Sequence, residues 1–183
     1  NAYSDISVKK IFKLKKRPMN NPLIVHYYNI NDLKKDCHIN DNLVKLYNLF
    51  SPGPITFILK LKKNSRISKL VTNNQNSLAV RFPKHALFRK LLKNLDYPIA
   101  APSANLSGTV SATMASHVFN DFGSSIEMII DGDKCGHGIE STIVDVRTEN
   151  VQILREGAIP KDQIFKIIQF KLGEYTGSKI LSP

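Results

Sequence analysis

The sequence has 183 residues and a formal net charge of +11, with 42% hydrophobic and 22% charged residues. This length fits about one domain, and the composition is that of an ordinary globular protein, which excludes a disordered tail or a fibrous repeat. No apolar run approaches the roughly 18 to 20 residues of a membrane helix. The two cysteines, Cys37 and Cys135, form no metal-ligand spacing, so we expect a reducing, cytoplasmic setting and no membrane partner.

The positive charge is concentrated in the first half of the sequence. Residues 1–93 carry 15 Lys and 4 Arg against 4 Asp and no Glu, a net charge of +15, whereas residues 94–183 carry −4. Such asymmetry predicts an anionic partner, either a nucleotide or a nucleic acid. The codon bias of an AT-rich genome is an alternative explanation, because Lys, Asn and Ile supply 56 of the 183 residues.

Apolar periodicity and chain breakers predict alternating helices and strands. Helices are predicted where apolar residues recur every three or four positions next to a cap or a proline. Strands are predicted where short apolar runs lie between Gly, Pro and Asn clusters. In chain order we predict a helix from residues 4–5 to 17–18, a strand at 23–25, a helix over 43–50 capped at 40 or 41, strands at 55–61 and 78–82, a helix opened by Pro83, a strand at 98–101, a helix after Ser111, strands at 128–130, 142–146 and 151–154, and a helix opened by Pro160.

The connections between several predicted strands are short. Parallel neighbours need a long crossover, whereas antiparallel neighbours can be joined by a tight turn, as predicted at residues 148–150. We therefore predict an α/β protein with a mixed sheet.

Three polar segments are candidates for a ligand site. Lys15 and Arg17 lie at a helix end broken by Pro18, where their charges suit phosphate oxygens; a solvated helix C-terminus is the alternative. Residues 101–111 follow a strand and are rich in hydroxyls and amides, as ligand-binding loops of α/β sheets are; a turn with a helix cap is the alternative there. The third segment is 136–142.

Common nucleotide and hydrolase motifs are missing from the sequence. No Gly-rich run ends in Gly-Lys-Ser/Thr, no Gly-x-Ser-x-Gly is present, and Asp131-Gly132-Asp133 lacks the rest of a calcium loop. From the residues alone, His26 is interpreted as structural. Cations and hydroxyls with little acid–base machinery predict nucleotide binding, where catalysis rests on positioning and charge stabilisation at phosphorus.

Six segments in register resemble the threonylcarbamoyl-AMP synthase family, also called YrdC-like proteins. They are KKRPMNNPLIVH (15–26), SPGPITFIL (51–59), SLAVRFP (77–83), PIAAPSANLSGTVS (98–111), GIESTIVD (138–145) and ILREGAI (153–159). The resemblance implies a YrdC-like fold: a twisted, mixed parallel and antiparallel sheet with surrounding helices and a large open cavity.

The resemblance also implies a reaction and its partners. Family members condense L-threonine, bicarbonate or CO2, and ATP to threonylcarbamoyl-AMP and pyrophosphate. ATP is then a substrate, with magnesium held mainly by the triphosphate. The product would feed the threonylcarbamoyladenosine modification of tRNA through a separate, tRNA-modifying threonylcarbamoyl transferase complex.

The family's motifs assign residues of this sequence to the two substrates. Lys15 and Arg17 match its K-x-R motif and are expected to be catalytic. The positions that match ATP-binding residues are Lys15, Arg17, Asn21, Ser77, Ser103, Asn105, Ser111 and Arg155. Those that match L-threonine-binding residues are His26, Arg81, Ala101 (through its backbone) and Ser141. This assignment replaces the structural interpretation of His26, and no residue is expected to bind a metal directly.

The resemblance predicts that parts of the family's pattern lie outside this sequence. Family members carry a strand and a Thr-rich segment ahead of the position of Asn1, and residues 173–183 resemble the start of the linker in two-domain members. We expect a catalytic domain over 1–172 that lacks this strand. The alternatives are a module that binds tRNA or double-stranded RNA directly, a carbamoyl-AMP-forming domain like that of hydrogenase-maturation proteins, and an inactive fragment. Few aromatics (8%, no Trp) disfavour base stacking.

Overall fold

A computed structural model describes residues 1–136 and 138–168, in which helices alternate with strands. The helices are α1 (Asp5–Lys15), α2 (Ile30–Leu33), α3 (Asp41–Phe50), α4 (Lys69–Thr72), α5 (Ala86–Lys93), α6 (Ala115–Phe122) and α7 (Lys161–Phe165). The strands are β1 (Ile24–His26), β2 (Ile55–Lys60), β3 (Ser77–Arg81), β4 (Ile99–Ala100), β5 (Thr142–Asp145) and β6 (Gln152–Arg155).

Local capping fixes the ends of the longer helices. The side chain of Ser4 accepts a hydrogen bond from the backbone N–H of Ser7 at the start of α1, and Asn40 does the same for Leu43 in α3. Helix α1 ends at Lys16, which adopts a left-handed conformation with φ of 52°. These boundaries confirm the predicted first and third elements. Helix α5 begins three residues later than its opening Pro83 suggested.

The six strands form one mixed sheet in the order β4-β1-β3-β2-β5-β6. Strand β1 pairs parallel with β3 and antiparallel with β4, β2 pairs antiparallel with β3 and parallel with β5, and β5 pairs antiparallel with β6. The predicted mixed sheet and the predicted hairpin of the last two strands are therefore confirmed.

The two faces of the sheet have different surroundings. On one face a row of buried residues joins the main hydrophobic core with α1, α3 and α7; it consists of Ala100, Val25, Val80, Phe57 and Val144. The other face carries a small apolar cluster of Ile58, Ala79 and Ile143, with Ile24 and Leu154 against it. Because side chains alternate along each strand, polar residues also lie on this second face. We call it the open face.

A buried carboxylate ties the start of the chain to the sheet. Asp36 is 1% exposed. It accepts hydrogen bonds from the hydroxyls of Tyr3 (2.9 Å), Tyr27 (2.8 Å) and Ser65 (2.7 Å). Burial, followed by the charge of Asp36, raises the pKa of Tyr27. Three donors on one carboxylate hold the residues next to β1 in place.

The predicted strand at 128–130 is wrong. Met128 is 74% exposed and Ile130 is 52% exposed, so this apolar run does not enter the core. Ile130 instead lines a surface groove with Leu87 and Leu91 of α5. Helices α2 and α4 were not predicted, because four residues are too few to show a helical period.

The domain prediction is only partly covered by the described residues. The described residues end at 168, so the predicted linker at 173–183 lies outside them and the domain over 1–172 stays a prediction. Within the described ranges, no helix is long and apolar enough to cross a membrane.

Candidate ligand site

One residue from each strand contributes to a single row across the sheet. The register aligns Ile99, His26, Arg81, Thr56, Ile143 and Arg155, in the order of the strands. Neighbouring strands lie about 4.8 Å apart. A β-bulge between β5 and β6 shifts the register after Ile143. The row thus brings together residues that are far apart in sequence, at the end of the sheet where β1, β3 and β6 finish.

Arg81 is the central cation of this row. Its side chain is half-buried, and its Nε donates a hydrogen bond to the carbonyl of Gly53 at 3.4 Å. No carboxylate pairs with it among residues 1–136 and 138–168. Burial lowers the pKa of the Arg81 guanidinium, and the charge of Arg155 lowers it further. A partly desolvated cation beside a second cation is a site for an anion.

Arg155 fixes the segment that precedes β5. Its Nη1 lies 2.5 Å from Glu140 Oε2, and its Nε and Nη2 donate to the Ser141 carbonyl at 3.2 and 3.0 Å. Its Nη2 also donates to Ser141 Oγ at 3.3 Å. Gly157 packs against the same segment, since a Cβ added there would lie 2.3 Å from the Glu140 carbonyl oxygen. The backbone at Glu140 and Ser141 is therefore held from two sides.

Thr56 is a site residue that the sequence analysis missed. It is fully buried, it is the register partner of Arg81, and its Oγ1 lies 2.8 Å from Ser141 Oγ. The Pro-Gly-Pro-Ile-Thr run at 52–56 was one of the six matched segments, so the signal was present. Which of its residues faces the site depends on strand register, which the sequence does not show.

His26 lies in the row next to Arg81 and is 7% exposed. Its Nδ1 has no hydrogen-bond partner among the described residues, and its ring centroid is 5.2 Å from that of Phe88. Burial, followed by the charge of Arg81, lowers the pKa of His26 to about 3. The imidazole is therefore neutral at physiological pH.

Lys15 forms the second part of the site with the loop that follows β4. Its Nζ donates to the backbone carbonyls of Ser103 and Asn105, and its side chain is buried, so the alternative of a solvated helix end is wrong for this residue. Burial, followed by the charge of Arg17, lowers the pKa of Lys15 to about 8, although Asp121 opposes this shift. The ammonium group has three N–H donors, and these two carbonyls use two of them, so one N–H remains for a ligand.

Arg17 and two asparagines complete this second part. Arg17 donates to the carbonyls of Asn21 (3.2 Å) and Pro22 (2.9 Å), and burial lowers its pKa. The Asn105 Nδ2 donates to the carbonyls of Leu106 and Thr109. The Oδ1 atoms of Asn21 and Asn105 are buried and have no partner within the described ranges. They are acceptors available to a ligand that carries N–H or O–H groups.

The remaining predicted residues are less tightly placed. The backbone N–H of Ala101 donates to the Ile24 carbonyl at 3.0 Å, next to the loop that Lys15 holds. Ser77 begins β3, four residues before Arg81, and its Oγ donates to Gln75 Oε1 at 3.4 Å. Ser111 is half-buried ahead of α6.

The candidate residues therefore form two groups at opposite ends of the short strands. We call them the histidine end (His26, Arg81, Ser141, Arg155, with Thr56) and the lysine end (Lys15, Arg17, Asn21, Ser103, Asn105). Arg155, predicted for ATP, lies at the histidine end with the residues predicted for threonine. His26 ends β1, whereas the loop after β4 reaches the start of β1 through the hydrogen bond from the Ala101 N–H to the Ile24 carbonyl.

No group of three or more His, Cys, Asp or Glu side chains is placed to hold a metal ion in the part of the chain that the structure describes.

Comparison with known proteins places the chain in a family. A family model that covers the Sua5, YciO and YrdC proteins, and carries the description "Telomere recombination", matches residues 1–157. The chain belongs to this family. The six matched segments and the mixed sheet agree with that assignment.

Several relatives share the same name. The chain is 40% identical over 169 residues to threonylcarbamoyl-AMP synthase of Pyrococcus abyssi and 41% identical over 169 residues to that of Bacillus subtilis; each match covers 92% of this chain and 49% of the relative. It also matches the crystal structure of P. abyssi Sua5 complexed with L-threonine, with a TM-score of 0.87 and 39% identity over 92% of this chain and 49% of that one. The chain thus spans about half the length of these relatives.

Proposed function

We propose that the chain catalyses the synthesis of threonylcarbamoyl-AMP from L-threonine, bicarbonate or CO2, and ATP. The observation that carries this proposal is Arg81, a half-buried guanidinium without a carboxylate partner in the described residues, in one row with the unpartnered Nδ1 of His26. The family membership and the relatives' shared name support it.

The histidine end suits an amino acid. Arg81 offers a planar fork to a carboxylate, and Arg155 adds a second positive charge nearby. Ser141 Oγ and the neutral His26 can exchange hydrogen bonds with an amine or a hydroxyl. P. abyssi Sua5, which matches most of this chain, was crystallised with L-threonine.

The lysine end suits the nucleotide. Lys15 and Arg17 supply positive charge for phosphate oxygens, and the unpartnered Oδ1 atoms of Asn21 and Asn105 can accept from an adenine amino group or a ribose hydroxyl. A product that joins a threonyl group to AMP would extend from one end to the other across the open face.

The proposed chemistry has two steps. The neutral threonine amine attacks the carbon of CO2 to form an N–C bond, and the release of one N–H proton to solvent yields a carbamate. A carbamate oxygen then attacks the α-phosphorus of ATP, and the bond from this phosphorus to the bridging oxygen breaks, so pyrophosphate leaves. Lys15, Arg17 and the magnesium carried by ATP would offset the charge that develops on the leaving group.

The test is pyrophosphate release by the purified chain in the presence of ATP, bicarbonate and L-threonine. We expect release that requires threonine and an equal amount of product carrying carbon from labelled bicarbonate. Equal release with and without threonine would overturn the proposal. For Arg81→Ala, the charge-matched control is Arg66→Ala, which removes an exposed arginine that lies over the Tyr3 ring. We expect this control to retain activity.

The wider setting follows from the same proposal. The product would be passed to a tRNA-modifying threonylcarbamoyl transferase complex, in a cytoplasmic location. Direct binding of tRNA or double-stranded RNA by the basic first half stays a prediction. Filter binding at two salt concentrations tests it, because phosphate contacts make affinity fall steeply with salt.

A further inference from the structure

We infer that Thr56 is a positioning residue that aligns the hydroxyl of Ser141 for the amino-acid substrate. This inference rests on the proposed function. The two hydroxyl oxygens lie 2.8 Å apart and both side chains are buried, at 0% and 2% exposure. Nothing in the six matched segments distinguished Thr56 from its neighbours.

Hydrogen-bond accounting shows what Thr56 contributes. Ser141 Oγ already accepts a hydrogen bond from Arg155 Nη2 at 3.3 Å. Thr56 Oγ1 has Ser141 as its only hydrogen-bond partner within the described ranges. A serine hydroxyl has one donor and two acceptor positions. With Arg155 and Thr56 each using one position of Ser141 Oγ, one position remains for a ligand.

The location of Thr56 ties this hydroxyl to the anion site. Thr56 is the register partner of Arg81 on one side and of Ile143 on the other. Its backbone thus lies between the strand that carries Arg81 and the strand that Ser141 precedes. Thr56 therefore sets the position of Ser141 relative to the Arg81 guanidinium.

The experiment compares three variants of the purified chain. Thr56→Val keeps the shape and β-branching and removes the hydroxyl, Thr56→Ser keeps the hydroxyl, and Thr72→Val is a matched control. Thr72 is a buried threonine in α4 whose hydroxyl donates, among the residues that the structure describes, only to the Lys69 carbonyl. For each variant we measure KM for L-threonine, kcat, the Kd of L-threonine by calorimetry, and Tm.

We expect Thr56→Val to raise KM and Kd for L-threonine about tenfold, as loss of one aligned hydrogen bond does, with kcat within about twofold of the wild type. Thr56→Ser restores KM to near the wild-type value. Thr72→Val changes Tm without changing KM. An unchanged KM in Thr56→Val, or a Thr56→Ser variant as impaired as Thr56→Val, overturns the inference alone. A wild-type chain that binds no threonine overturns the proposed function and the inference together.

Discussion

Arg155 lies close enough to Arg81 to lower the pKa of its guanidinium, although two strands separate β3 from β6 in the sheet. Arg155 forms a salt bridge with Glu140 at 2.5 Å, whereas Arg81 has no such partner in the part of the chain that the structure describes. The two arginines therefore have different roles. Arg155 organises the backbone around Ser141, and Arg81 remains available for an anion.

Replacing Arg81 tests this division. Arg81→Ala is expected to raise KM for L-threonine between about tenfold and a hundredfold, because a hydrogen bond to a charged group is worth about 1.5–3 kcal/mol. The value of kcat changes little if the guanidinium contributes equally to substrate and transition state. Steady-state kinetics with threonine as the varied substrate measure both values. A normal KM in Arg81→Ala would contradict the carboxylate role.

The pKa of Lys15 predicts how nucleotide affinity depends on pH. Only the protonated ammonium attracts phosphate, and burial lowers its pKa to about 8. The charge is therefore lost as the pH rises through 8, and ATP affinity is expected to fall about tenfold between pH 7 and pH 9. Titration calorimetry at several pH values measures this. In Lys15→Met the affinity is lower at pH 7 and independent of pH; a wild-type affinity that stays constant to pH 9 counts against the assignment.

His26 predicts an acid-sensitive fold. Its pKa is about 3 in the folded protein and about 6.5 in an unfolded chain, so the unfolded state binds the extra proton between these values. The free energy of unfolding therefore decreases as the pH falls below 6.5, by about 1.4 kcal/mol per pH unit from this group alone. Urea unfolding at pH values between 6 and 4 measures how the free energy of unfolding changes with pH. We expect this change per pH unit to be smaller by the same amount in His26→Gln than in the wild type. Equal slopes in the two proteins would refute the burial of a neutral imidazole.

Gly157 offers a test of how tightly the Ser141 segment is held. A Cβ at this position would lie 2.3 Å from the Glu140 carbonyl oxygen and 2.6 Å from the Ser141 carbonyl carbon, so the backbone must move. Gly157→Ala is expected to destabilise the fold by about 1–3 kcal/mol, as overpacking does, and to weaken threonine binding. Gly138→Ala is the matched control, because an added Cβ there meets nothing within 4 Å. Thermal unfolding compares the two; equal Tm values would show that the segment yields easily.

The sequence predicted the longer elements well, because they have clear caps and periods. The boundary of α3 at Asn40 and the hairpin of β5 and β6 are examples. The strand predicted at 128–130 failed for a physical reason: Met128 and Ile130 are exposed, and Ile130 lines a surface groove beside α5. Composition does not distinguish an exposed apolar run from a buried one.

The sequence named candidate site residues, but it did not show how they lie relative to one another. The carbonyl partners of Lys15 are 88 and 90 positions away, and the hydroxyl partner of Thr56 is 85 positions away. Such contacts depend on strand order and register, which no local pattern encodes. The grouping of Arg155 with Arg81 was missed for the same reason.

The row across the sheet draws one residue from each of six strands that span positions 24 to 155 of the chain. The row is complete only when all six strands have paired, so the whole binding surface is a late product of folding. A ligand seated there would bind the native state and not its partly folded precursors. Substrate binding would then slow the opening of β4 and β6, the two strands at the edges of the sheet. Slower hydrogen exchange of their backbone amides would therefore report that a site near the middle of the sheet is occupied.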